Sequence, residues 1–237
     1  MKLLQSLRRP ARTGAACLLF LSIAGSPVLA APPAGPAAPG ADWHETVRAF
    51  AEKHFKNPAW GYSHCRRDYA LAKELAAADH ASLDDDVLYA AAYLHDIAAF
   101  APWEDTKVDH SDVGAGVVAS ILKDTGFPMA KIDAVRGAIR THMYYRDPQG
   151  AEALYLHDAD ALDWLGAVGA ARIFGLVDPN GKQPDGPKAV AMLKDNLQKV
   201  PSRVLSPAGK AQVPQRQAEL DKFLNDLSRE SQKFETL

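Results

Sequence analysis

From Asp42 onward, apolar residues recur at steps of three and four and two-residue alternation is nearly absent, so the chain reads as a series of amphipathic helices. The pattern predicts helices over 43–55, 64–78, 111–123 and 130–142, and another that starts before Asp160 and runs to Phe174. One more opens on Asp84-Asp85-Asp86, acids suited to the positive end of a helix dipole, and runs through Tyr89, Ala92 and His95. The last two cover 188–199 and 215–229. Asn57-Pro58, Gly126-Phe127-Pro128, Asp178-Pro179-Asn180-Gly181 and Pro184-Asp185-Gly186-Pro187 are turn chemistry that separates them, and 98–107 reads as a loop. There is no internal repeat. The fold class is all-α.

Four of these helices carry histidine or aspartate where the helical period calls for a core residue. Ile132, Val135, Ile139 and His142 form one face; His110 leads another with Gly114, Val117 and Ile121, where the small residues 114–116 allow a second backbone to come close. Leu88, Ala92 and His95 share a third face with Asp96 beside it, and His64 and Asp68 precede Leu71 and Leu75 on a fourth. A buried polar group without a partner costs on the order of 2–7 kcal/mol. A shared metal ion satisfies several such groups together. With only two cysteines in 237 residues, a metal here is held by imidazole and carboxylate, a donor set suited to Mn²⁺, Fe²⁺, Co²⁺, Ni²⁺ or Zn²⁺. The chain has two adjacent His-Asp pairs, His95-Asp96 and His157-Asp158. Around the second, Asp158, Asp160 and Asp163 stand at steps of two and three and cannot all face one ion, but periodicity alone does not choose among them.

The first forty residues stand apart. Lys2, Arg8, Arg9 and Arg12, a small and apolar run over 14–25, and Val28-Leu29-Ala30 make the three-part pattern of a signal peptide, predicted over 1–30. The run is shorter than the roughly 20 residues of a spanning helix. Residues 31–41 are a Pro/Ala-rich tether, and 42–237 form a single domain, expected to be exported to a periplasmic or extracellular space. Removing 1–30 takes away four bases and no acids, which moves the formal charge from −2 to −6, with 23 bases against 29 acids. Neither balance supplies the basic face that a nucleic-acid binder needs. The expected partner is a small molecule, with no nucleic acid and no membrane once the signal is gone. Cys65 is left as the single thiol and reads as a buried spectator.

His64 lies in Ser63-His64-Cys65-Arg66-Arg67, the first pair in Tyr93-Leu94-His95-Asp96, His110 ahead of Gly114-Ala115, His142 in Ile139-Arg140-Thr141-His142, and Asp160 in Asp158-Ala159-Asp160-Ala161-Leu162. In this order the segments resemble the HD-domain metal-dependent phosphohydrolases. The run 163–172 and the tail toward Phe223-Leu224 are similar to a small stand-alone bacterial branch, some of whose members act as nucleotide pyrophosphohydrolases. The resemblance implies a helical bundle with a metal site between helices and His64, His95, Asp96 and Asp160 as metal ligands. It implies His110 and His142 as ligands of a second ion or as contacts to phosphate or leaving group. One or two divalent ions are implied, manganese first, with iron, cobalt, nickel or zinc as the other candidates. Asp158 and Asp163 take supporting or helix-end roles. The implied reaction is hydrolysis of a phosphoester or phosphoanhydride of a nucleotide or similar small phosphate by metal-activated water, oriented by Asp96 or Asp160, with His142 or His110 protonating the leaving oxygen. Among the bases near these motifs, Arg66, Arg67, Lys107 and Arg140, the expected phosphate contacts are Arg67 and Lys107. One departure is Ala98-Ala99-Phe100, where several relatives carry an acid a turn after the pair. Two other readings stay open: a di-iron oxygenase built on the same six ligands, and a non-catalytic helical ligand-binding domain.

Overall fold

A computed structural model describes residues 42–178 and 184–237. The signal peptide and tether predicted over 1–41, and the turn residues Pro179, Asn180 and Gly181, lie outside the described residues. Within them there are nine α-helices and no strand: α1 (Trp43–His54), α2 (Tyr62–Ala78), α3 (Asp85–Leu94), α4 (His110–Leu122), α5 (Ile132–Thr141), α6 (Ala151–Asp163), α7 (Gly166–Phe174), α8 (Gly186–Lys199) and α9 (Pro207–Glu230). The all-α class read from the periodicity is the class observed. Five starts are set by short polar side chains: Asp42, Asp84, Asp109, Asp185 and Ser206 each accept a hydrogen bond from a first-turn N–H.

Two boundaries differ from the sequence pattern. The helix expected to continue to Phe174 is broken after Asp163. Apolar periodicity runs unbroken through Leu162, Trp164 and Leu165, but Leu165 is extended and Gly166 takes a φ of +65°, a conformation that favours glycine. A Cβ on Gly169 would lie 2.3 Å from the Trp164 carbonyl oxygen, so the turn is closed by glycines. The final helix begins at Pro207 instead of 215. Pro214 lies inside it, where the carbonyl it leaves without a donor belongs to Lys210; both residues are on the exposed face of the helix.

Helix α3 is the centre of the bundle: every residue from Val87 to Leu94 is buried, against α1, α2, α5 and α6. Its run of Ala90, Ala91 and Ala92 lets neighbouring helices approach. Leu88, Leu94, Ile139 and Leu156 are fully buried, and truncating any one to alanine costs about 2–5 kcal/mol. Helices α7, α8 and α9 pack on one another, and α9 also covers α6 and α2. Among the described residues no helix is long and apolar enough to cross a membrane. The starts of α2 and α4 and the ends of α3, α5 and α6 carry the histidines and aspartates singled out above.

Candidate metal centre

His64 lies in the first turn of α2, His95 directly follows α3, His110 begins α4, His142 directly follows α5, and Asp160 is in the last turn of α6. Asp96 is the first residue to leave the α3 helix, with φ −94° and ψ 13°. The helix thus ends between His95 and Asp96, and the adjacent residues can turn to one centre. Gly114 allows the approach of α4, since a Cβ there would sit 3.3 Å from both the His95 carbonyl oxygen and the Ile139 side chain. Gly116 faces open space and has no such role.

Hydrogen bonding fixes how the imidazoles face. The Nδ1 of His95 donates to the Ala92 carbonyl at 2.9 Å and that of His142 to the Ile139 carbonyl at 2.6 Å, while Nδ1 of His64 meets Asp163 Oδ2 at 2.8 Å. Those acceptors hold the proton on Nδ1, so in the neutral rings each Nε2 presents a lone pair to the interior. The Nε2 atoms of His64 and His95 are 3.2 Å apart, and those of His110 and His142 are 3.3 Å apart. Asp96 lies between the two couples. Its Oδ2 is 3.5 Å from His64 Nε2 and 3.3 Å from His95 Nε2, and its Oδ1 is 3.4 Å from His110 Nε2 and 3.6 Å from His142 Nε2.

Asp160 Oδ1 is 3.3 Å from His64 Nε2. Asp68 is a member of this group that the sequence reading placed on the correct face without giving it a role. It is fully buried, its Oδ2 lies 3.1 Å from His64 Nε2 and 3.6 Å from His95 Nε2, and the spacing of four from His64 along α2 was the available signal. The His64 contact is not aligned as a hydrogen bond, so both Asp68 oxygens, like Asp160 Oδ2, are buried without a donor. Four groups, His64, Asp68, His95 and Asp160, are spaced to hold one ion, and His95, Asp96 and His142 are spaced to hold another. Facing lone pairs and orphaned carboxylate oxygens with no thiolate are the donor set of a divalent cation.

The charges are strongly coupled. Burial and Arg172 disfavour a proton on His64, but Asp68, Asp160 and Asp163 outweigh them and raise its pKa well above the usual histidine value. Burial pulls His95 down, and Asp96 more than restores it. His142 is lowered, chiefly by burial. Burial raises Asp68, whereas Asp96 is held well below the usual carboxylate range because His95, His110 and His142 outweigh the same effect.

Around the centre, Asp163 accepts from His64 and is itself held by Arg67 Nη2 at 2.8 Å and by buried Arg172 at 3.0 Å. Arg172 also donates to the Ala59 carbonyl and stacks 3.8 Å over Trp164. Arg67, expected at a substrate phosphate, is therefore engaged by Asp163, because the buried carboxylate needs a counter-charge. Lys107 is exposed in the loop before α4. Asp158 faces away and accepts from the N–H groups of Leu205 and Ser206. Of the six residues carried by the resemblance, five are buried and His110 opens to solvent, its side chain 29% exposed.

Residues 61–165 match the family model of the HD domain, a span that contains all these acids and histidines. Among solved structures, YpgQ of Bacillus subtilis, determined in complex with ADP, is 21% identical, aligning 79% of this chain with 97% of its own at a TM-score of 0.60. A protein described as a predicted HD superfamily hydrolase, from an uncultured Thermotogales bacterium, is 27% identical over 79% of this chain and 90% of its own, with a TM-score of 0.55. An HD-superfamily hydrolase of Bacillus thuringiensis is 21% identical over 79% and 95%, at 0.54. No curated protein matches the chain.

Proposed function

We propose, from the HD-domain match over residues 61–165 and the centre built around Asp96, that the chain is a metal-dependent phosphohydrolase of the HD-domain superfamily acting on a nucleotide or related small phosphate. The observation that carries this reading is the placement of Asp96, one oxygen toward each of two imidazole couples, beside buried oxygens of Asp68 and Asp160 that have no donor. His64, Asp68, His95 and Asp160 would hold one divalent ion, and His95 or Asp96 with His142 and His110 a second. Such an ion supplies Lewis acidity toward a phosphoryl oxygen and brings the pKa of water toward neutrality. Manganese is the ion we favour for this oxygen- and nitrogen-rich set.

The chain's own residues provide orientation and proton transfer. Asp96 and Asp160 are acceptors that orient water for attack in line with the leaving group. His142 is sealed inside, so the proton for the leaving oxygen comes most directly from His110, the open member of the set. Near the start of α4, Arg140 and Arg146 lie 3.5 and 2.8 Å from Asp112, and Arg146 also 3.2 Å from Asp109, so the two bases balance the two acids on that side. The ADP bound to YpgQ supports a nucleotide substrate. Export through residues 1–30 and a single domain over 42–237 complete the proposal.

The test is an assay of the purified protein with Mn²⁺, Co²⁺, Ni²⁺, Mg²⁺ and Zn²⁺ against nucleoside mono- and triphosphates, cyclic dinucleotides and a generic phosphodiester, with His95→Ala and Asp160→Ala as controls. Metal-dependent turnover lost in both variants is the expected result. Turnover with no metal added, unchanged turnover in the variants, or two bound irons with oxygen-dependent turnover would overturn it.

A further inference from the structure

An open cleft of about 500 Å³ lies where the segment after His142 meets the end of α8, lined by Tyr144, Tyr145, Gln198, Lys199, Ser202 and Arg203. A short chain of contacts joins it to the centre. The Tyr145 hydroxyl donates to Asp109 Oδ2 at 2.7 Å, Asp109 Oδ1 lies 3.9 Å from His110 Nδ1, and His110 Nε2 faces Asp96. The same place holds two of the few exposed large apolar side chains among the described residues, Val108 and Tyr145. Val108 precedes Asp109 in the chain, and Tyr145 bonds its carboxylate.

The cleft's cations are already paired. Lys199 sits 2.8 Å from Asp195, and Arg203 bonds the carbonyls of Tyr144 and Arg146 and the Asp147 carboxylate. What the lining offers a ligand is therefore two aromatic rings set edge to face, 5.4 Å apart, together with the Gln198 amide and the Ser202 hydroxyl. Rings with neutral hydrogen-bonding groups suit a base and its sugar better than a second phosphate. Arg203 also fixes the backbone on both sides of Tyr145, so the ring is presented by an ordered turn.

We infer that this cleft receives the nucleoside half of the substrate, its base stacked on Tyr145 and its phosphates at His110. This rests on the phosphohydrolase reading and narrows it to nucleotides over simple phosphate esters. Stacking on one aromatic ring typically contributes a factor of about ten or more.

The experiment compares wild-type protein with Tyr145→Ala and Tyr145→Phe, using ADP and glycerol 3-phosphate, an ester without an aromatic ring, as substrates and calorimetric binding of ADP as a separate readout. Tyr145→Ala is expected to raise KM and Kd for ADP about tenfold while kcat/KM for the generic ester stays within about twofold. Tyr145→Phe keeps the ring, loses the hydroxyl that bonds Asp109, and should remain near wild type. Equal losses on both substrates, an unchanged ADP KM, or loss in Tyr145→Phe equal to that in Tyr145→Ala would overturn the cleft assignment and leave the hydrolase reading standing. A wild-type protein that hydrolyses the ester but neither binds nor hydrolyses ADP does the same. If no phosphate is hydrolysed, the functional reading fails, and binding alone decides the cleft: about tenfold weaker ADP binding in Tyr145→Ala supports it, and equal or absent binding rejects it.

Discussion

The two adjacent His-Asp pairs show how one dipeptide can do opposite things in one fold. His95-Asp96 lies where α3 ends, so the backbone turns between the two residues and both side chains reach a common centre. Asp96 has imidazole nitrogens on both oxygens, and the group around it has more acceptors than donors. His157-Asp158 lies inside α6, where His157 Nδ1 bonds its own neighbour at 2.9 Å. Asp158 is then satisfied by the N–H groups of Leu205 and Ser206, which lead into α9. The difference is in what remains unsatisfied. A carboxylate neutralised by backbone donors ties two segments together, whereas one left facing lone pairs calls for a cation.

The largest effect that tests this contrast comes from removing each aspartate in turn. Asp96→Ala should abolish metal-dependent turnover, a loss of roughly a thousandfold or more if several kcal/mol of charge stabilisation go with it. Asp158→Ala should leave kcat/KM within about threefold and instead lower stability by about 1–3 kcal/mol for each N–H it orphans. Steady-state kinetics and denaturant melts on both variants decide the matter, and a turnover loss in Asp158→Ala as large as that in Asp96→Ala would break the comparison.

A smaller effect separates ligand from support. Asp163→Asn keeps the shape but removes the charge that holds the His64 Nδ1 proton, and should weaken metal affinity by about 10–100-fold with the nucleotide KM unchanged. Metal titration followed by calorimetry measures this directly. Asp68→Asn should also weaken metal binding, since it removes a fully buried carboxylate 3.1 Å from His64 Nε2.

Much of this was legible in the sequence because helical periodicity and buried polarity are local signals. His110 and His142 stood out as polar members of apolar stripes, and Asp84-Asp85-Asp86 as acids at a helix start, whereas the cap at Asp109 shows only in the fold. Other features are masked by the periodicity or depend on partners distant in sequence. Gly166 breaks α6 from α7 through its own φ, while apolar periodicity across Leu162 and Leu165 hides the break. Pro214 reads as a helix stop, although its exposed position, with Lys210 exposed one turn before, makes it tolerable. Asp68 was on the correct face, but only the fold shows that it faces His95 from α3. The pairing of Arg67 with Asp163 spans 96 residues, and no spacing rule reaches that far.

The least drastic test changes no residue and uses pH. In metal-free protein the surrounding acids raise the His64 pKa above the usual value of about 6.5, so the fold favours its protonated form. That contribution is complete below about pH 6.5 and is lost as pH rises through the raised value. Asp96 has the opposite sign: its pKa is lowered, so its contribution is present above about pH 4 and is lost below it. Chelated protein should therefore be most stable between about pH 4 and 6.5 and lose stability above that window. Protein with excess Mn²⁺ should gain stability over the same rise, since the ion competes with the proton for Nε2. Melting curves with and without chelator, taken from pH 5 to 9, should diverge, and Asp158→Ala should lower both curves without changing their divergence. A chelated protein whose stability is flat or rises above pH 7 would mean that the facing imidazoles are neutral without the ion, and that the lone pairs around Asp96 are tolerated by the fold alone.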